Sequence, residues 1–134
     1  MRLILHICTV LAVIPAWADP IPLGRYEVNV HLVLPHIDTK DYDFVTEICL
    51  GNVVGLASLG PLSPGPLSQC PRKSETLNGE WMIHVRCPGG NAAVATGTYR
   101  STPSGFRGRV EMNMGGKNMT LAEEQRGRYL GPCE

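Results

Sequence analysis

The cysteines of this 134-residue chain, Cys8, Cys49, Cys70, Cys87 and Cys133, are the side chains best suited to chemistry. Paired thiols act as a redox couple, as part of a metal cage or as a staple, and spacing separates these uses. With no C-x-x-C, thioredoxin-like exchange has no support. The same absence, together with the lack of H-x-x-x-H, argues against a zinc finger or ribbon. Cys70 and Cys87 instead flank "PRKSETLNGEWMIHVR", where Asn78-Gly79 signals a two-residue type I′ hairpin, because both central positions need positive φ. In that register Leu77 faces Glu80, and further out Cys70 faces Cys87 as a non-hydrogen-bonded pair. Cα atoms of such pairs lie about 4.5 Å apart, within disulfide range. Pro71 has no N–H to give the ladder, so pairing should fray beside Cys70.

The N-terminus bears on the same question. "MRLILHICTVLAVIPAWA" has a basic residue at Arg2, an apolar run from Leu3 to Ile14, and small residues Ala16 and Ala18 around Trp17. That layout predicts a secretory leader over residues 1–18, cleaved before Asp19. The run is too short for a membrane anchor, which needs roughly twenty apolar residues. Cys8 leaves with the leader, and four cysteines in a short exported chain read as two disulfides. Cys70–Cys87 closes a short loop worth about 3 kcal/mol, and Cys49–Cys133 a long one worth about 4 to 5 kcal/mol, in the chain-entropy model. The remainder, 19–134, is one domain with no later segment apolar enough to span a membrane. With 12 Lys and Arg against 12 Asp and Glu, the chain has no global pull toward nucleic acid or an anionic membrane.

Alternation of apolar and polar residues sets the elements, and no window has helical period. "RYEVNVHLVL" puts Tyr26, Val28, Val30, Leu32 and Leu34 on one face, with Glu27, Asn29 and His31 on the other. "FVTEICL" is a second strand. A Gly/Pro-rich loop follows over about 51–69, with one helical turn expected around Val53 to Ser58. After the stapled hairpin, a turn at Thr102–Gly105 pairs Tyr99 with Gly108, Gly97 with Val110 and Ala95 with Met112. A turn at Gly115–Asn118 then pairs Met114 with Met119 and Met112 with Leu121. Both registers send Val110, Met112 and Met114 to one buried face, opposite small residues. The prediction is an all-β antiparallel meander of about seven strands, forming a small barrel or a curled sheet or sandwich.

On the polar face these registers align Thr98, Arg109 and Glu124, and beside them Arg100, Arg107 and Arg126. Three arginines in a row repel, so they either splay into water or hold an anion such as phosphate or carboxylate. Met112, Met114 and Met119 cluster inward on the same register. Thioethers suit copper(I), although methionine there also serves as core filler. His31, His36 and His84 are scattered, and Asp38, Asp41 and Asp43 lack the glycine and distal glutamate of an EF-hand loop. Nucleophile-elbow, P-loop and dinucleotide motifs are absent, and Glu123 and Glu124 point to opposite faces, unlike a glycosidase pair. These residues imply no catalysis and no cofactor.

Taken in order, "LGRYEV", "CLG", "WMIHVRCPGG", "ATGTYRS", "RVEMNM" and "YLGPC" resemble a bacterial family of exported proteins, domain of unknown function thirty-six seventeen. The resemblance runs over nearly the whole chain after the leader and includes all four remaining cysteines. Two departures stand out: Tyr26 replaces a common tryptophan, and the stretch between Cys49 and Cys70 is unusually proline-rich. The resemblance implies a periplasmic or secreted bacterial protein and carries no activity. The expectation is a noncatalytic envelope domain that binds a small apolar or amphipathic ligand, or another envelope protein, through its interior or a sheet face. A copper-binding methionine cluster and an unrecognised hydrolase are the alternatives.

Overall fold

The computed structural model describes residues 20–35, 42–51, 58–89, 92–115 and 119–134. The predicted leader, with its cleavage point, lies outside the described residues, as do His36, Asp38 and Asp41. Seven strands form: β1 Gly24–Val33, β2 Asp43–Leu50, β3 Arg72–Leu77, β4 Glu80–Arg86, β5 Val94–Thr102, β6 Gly105–Asn113 and β7 Thr120–Gly131. They make one antiparallel sheet in the order β2-β1-β7-β6-β5-β4-β3. Of the arrangements the alternation allows, the chain adopts the open sheet, with β2 and β3 as its edges. Residues from β1, β2, β4, β5 and β6 share one core cluster, so the sheet curls around its inner face.

Turn chemistry fixes the registers. Asn78 and Gly79 both take positive φ, 51° and 79°, and the β3–β4 ladder runs from Leu77↔Glu80 to Arg72↔Val85. Beyond it Arg86 N–H donates to the Pro71 carbonyl at 3.2 Å, which leaves the next pair, Cys70 and Cys87, non-hydrogen-bonded. Those cysteines are bonded, with Cα atoms 4.9 Å apart, and Cys49 is bonded to Cys133 at 5.8 Å. Strands β5, β6 and β7 pair in the expected registers, Tyr99↔Gly108, Gly97↔Val110 and Ala95↔Met112, then Met112↔Leu121 and Arg109↔Glu124, although residues 116–118 of the second expected turn lie outside the described residues.

Aromatic rings on glycine floors fill the inner face. A Cβ at Gly97 or Gly108 would overlap the Tyr99 ring, and one at Gly127 would overlap Phe106. Phe106 packs between Tyr26, tilted against it with centroids 5.1 Å apart, and Tyr99, edge-to-face at 5.8 Å. Small residues opposite large ones let the strands approach without voids.

Since β2 and β3 are opposite edges, the chain between them must travel from one side of the sheet to the other. Its described part, residues 58–71, lies over the inner face and buries Leu59 and Leu67 in the core. This segment is the second layer that a one-sided apolar sheet requires. The expected helical turn around Val53 to Ser58 falls almost wholly outside the described residues. Within the described part, a 3₁₀ turn forms at Pro66–Gln69.

Candidate functional site

Polar chemistry concentrates in two places, one on each side of the sheet. The inner one was not foreseen. Alternation along β7 sends Glu123 and Gln125 inward, where both are buried. The Glu123 carboxylate accepts the Leu62 N–H at 3.0 Å, the Ser63 N–H at 2.8 Å and the Ser63 hydroxyl, and Gln125 Nε2 donates to it at 2.8 Å. Gln125 Nε2 also donates to the Gly60 carbonyl at 2.8 Å. Tyr99 OH accepts the Gly60 N–H at 2.8 Å and donates to Gln125 Oε1 at 3.1 Å. From the other side Arg72 reaches the carbonyls of Leu59 at 2.6 Å, Ser58 at 3.2 Å and Pro61 at 3.3 Å. A proline-rich segment cannot form a ladder, so side chains satisfy its backbone instead.

Burial sets the titration of this network. It lowers the Arg72 guanidinium from its ordinary value, against the opposing pull of the Tyr99 oxygen and the Glu123 carboxylate. It raises the Tyr99 phenol far above its usual range. An unfolded tyrosine ionises near pH 10. The stability due to the protonated Tyr99 phenol is therefore complete below about pH 10 and is lost as pH rises through that window toward the higher folded value. Burial, with Tyr129 nearby, shifts Tyr26 in the same direction. Urea unfolding between pH 8 and 11 should show stability falling above pH 10 with a slope of about 1.4 kcal/mol per pH unit for each such tyrosine. Tyr99→Phe should reduce that slope by one proton.

The outer site is the arginine face that the registers place on β5, β6 and β7. Arg100, Arg107 and Arg126 are cross-strand neighbours in one row, with Thr98, Arg109 and Glu124 in the next. Carboxylates partner the flanking arginines: Arg100 with Glu80 at 2.5 Å, Arg109 with Glu124 at 2.9 Å and Glu111 at 3.4 Å, and Arg128 with Glu27 at 3.2 Å. Arg107 and Arg126 have no carboxylate partner among the described residues. Shallow grooves of about 350 Å³ and about 520 Å³ flank the row, and Arg100, Arg107 and Arg126 line both.

The other expected residues are more dispersed. Met112 is buried and Met114 half-buried, but Met119 is 61% exposed, so the inward cluster of three does not form. Met119 does sit opposite Met114, whose N–H donates to the Met119 carbonyl at 2.9 Å, but it stands outside β7 at the end of the ladder. His31 contacts Asp43, and His84 contacts Glu75 at 2.7 Å, each across neighbouring strands. Among the described residues no three His, Cys, Asp or Glu side chains converge as a metal site, and no helix is long and apolar enough to cross a membrane.

A hint of the inner network was present in the sequence. Once Val110 and Met112 are inward, the β6–β7 register forces Glu123 and Gln125 inward too, and buried polar groups need partners. Comparison with protein-family models, with curated proteins and with solved structures returned no match for this chain.

Proposed function

We propose that this is a noncatalytic, disulfide-stapled β domain of an oxidising compartment that binds an anionic group on its outer face. In keeping with the leader-like N-terminus and the family resemblance, we place it in the periplasm or outside a bacterial cell. The carrying observation is the pair Arg107 and Arg126, adjacent and without a carboxylate partner among the described residues, while each flanking arginine has at least one. Two guanidinium forks side by side match the planar oxygens of a carboxylate or phosphate, and charge-assisted bonds to such groups are the stronger kind. Two disulfides suit a compartment where thiols are oxidised.

The interior offers less room for a ligand than the sheet face, because the 58–71 segment and its leucines occupy it. The noncatalytic reading is supported by the inner polar groups themselves. Ser63, Tyr99, Glu123 and Gln125 converge, yet each is engaged in tying down that segment.

Titration with inorganic phosphate, followed by NMR at the arginine Nε–Hε groups and at constant ionic strength, tests this directly. Shifts should centre on Arg107 and Arg126 and saturate. Arg107→Gln combined with Arg126→Gln should weaken binding by at least about tenfold, as expected for loss of two charge-assisted bonds. Shifts spread evenly over all exposed arginines, or an unchanged affinity in the double variant, would remove the site.

A further inference from the structure

Beside the basic row lies a second outer-face groove of different character. Its volume is about 430 Å³, and the outward-facing Val33, Val94 and Ala122 line it together with Arg109 and Glu111. The register explains the depression. Ala122 pairs with Val33 on one side and Glu111 on the other, so a methyl group sits between two longer side chains. Ala122 is 6% exposed and apolar, which makes it a floor rather than a wall.

Arg109 connects the two regions, since it lines both this groove and the basic one of about 350 Å³. Its guanidinium is already engaged by Glu124 and Glu111, so toward a ligand it presents mainly its aliphatic stem. Along the strands, the Arg107–Arg126 row and the Glu111–Ala122 row are four residues apart, about 14 Å. Charge at one end and apolar lining at the other, joined on one face, form an amphipathic track.

We propose that the occupant of this face is a single amphipathic anion, its phosphate or carboxylate head on Arg107 and Arg126 and its alkyl tail over Ala122 between Val33, Val94 and Glu111. This rests on the anion reading above and adds the class of molecule. The face suits one free amphiphile better than a membrane surface. Glu27, Glu80, Glu111 and Glu124 surround the two unpaired arginines and would oppose a broad anionic bilayer.

Calorimetric titration of the full exported chain with ethyl phosphate and with decyl phosphate, the latter below its micelle concentration, tests this. Decyl phosphate should bind at least about tenfold more tightly, because burying even a few methylenes yields that factor. Val94→Asp, at a half-buried groove position, should abolish the chain-length gain and leave ethyl phosphate binding unchanged. Ala122→Leu, which fills the groove, should do the same, with circular dichroism checking the fold of each. Equal affinity for the two phosphates would overturn the tail assignment while leaving the anion site standing. Equal binding of decanol and decyl phosphate, insensitive to Arg107→Gln and Arg126→Gln, would overturn both readings. Capture by anionic phospholipid vesicles without binding of monomeric decyl phosphate would overturn the single-molecule occupant.

Discussion

Replacing both Cys49 and Cys133 by alanine should lower the unfolding free energy by about 4 to 5 kcal/mol, the larger of the two disulfide effects. The bridge spans 84 residues of sequence, and in the unfolded chain it removes the freedom of that whole loop. Its position adds a second reason. Cys49 is on β2 and Cys133 follows β7, while β1 lies between these strands; Arg25 of β1 pairs with both Cys49 and Gly131. The chain after Gly131 must therefore cross the end of β1 to reach Cys49, and the bridge clamps the edge strand to the sheet. The Cys70–Cys87 bridge spans only 17 residues within a hairpin that its own turn already sets, and its loss should cost about 3 kcal/mol. A domain of this size has roughly 5 to 15 kcal/mol in total, so the first variant should stand near the edge of folding. Urea unfolding of the two double variants measures both values. A smaller loss for Cys49/Cys133 than for Cys70/Cys87 would contradict the account.

Glu123→Ala should cost about 3 to 5 kcal/mol, the scale of breaking a buried charged network by removing one partner. The carboxylate is the acceptor for two backbone N–H groups, one hydroxyl and one amide, all on the inner side of the sheet. Without it the part-buried Leu62 and Ser63 N–H groups and the Ser63 hydroxyl lose their acceptor, each such loss costing about 1 to 3 kcal/mol, while Gln125 Nε2 keeps the Gly60 carbonyl. Glu123→Gln should fall between, because its amide keeps one acceptor oxygen and turns a donor toward Leu62 or Ser63. Amide hydrogen exchange at Leu62 and Ser63 should accelerate in both variants, ahead of the rest of the sheet. The neighbouring carboxylate supplies the control. Glu124 is exposed on the outer face and paired with Arg109, so Glu124→Ala should change stability by no more than about 1 kcal/mol. Equal losses at the two positions would show that burial of Glu123 is not what matters.

Much of the fold is legible in short-range pattern. Asn78-Gly79 fixes the β3–β4 register, and through it the bond between Cys70 and Cys87. The turn at Thr102–Gly105 aligns β5 with β6, and the β6–β7 register is the one expected from a turn at 115–118, of which residues 116–118 lie outside the described ones; together these registers place Arg100, Arg107 and Arg126 in one row. A strand has a side-chain period of two, so one known turn settles the facing of every residue along its hairpin. Elimination then assigns Cys49 to Cys133.

Contacts far apart in sequence are not written in that period. Nothing in the order of residues says that β1 pairs with β7, which puts β2 and β3 on opposite edges. From that single pairing follows the path of the Gly/Pro-rich segment over the inner face, and from the path comes the engagement of Glu123, Gln125, Tyr99 and Arg72 with its backbone. The charge balance around Arg107 and Arg126 is likewise tertiary. Arg100 meets Glu80, and Arg128 meets Glu27 across 101 positions of sequence, so only the assembled sheet reveals which arginines lack a carboxylate partner among the described residues. The sequence by itself determined strand facing, turn geometry and that Cys70 opposes Cys87, because these depend on neighbours within a hairpin. The tertiary structure decided which edges stay open, what fills the interior and where charge is left unpaired, because these depend on which distant strands meet.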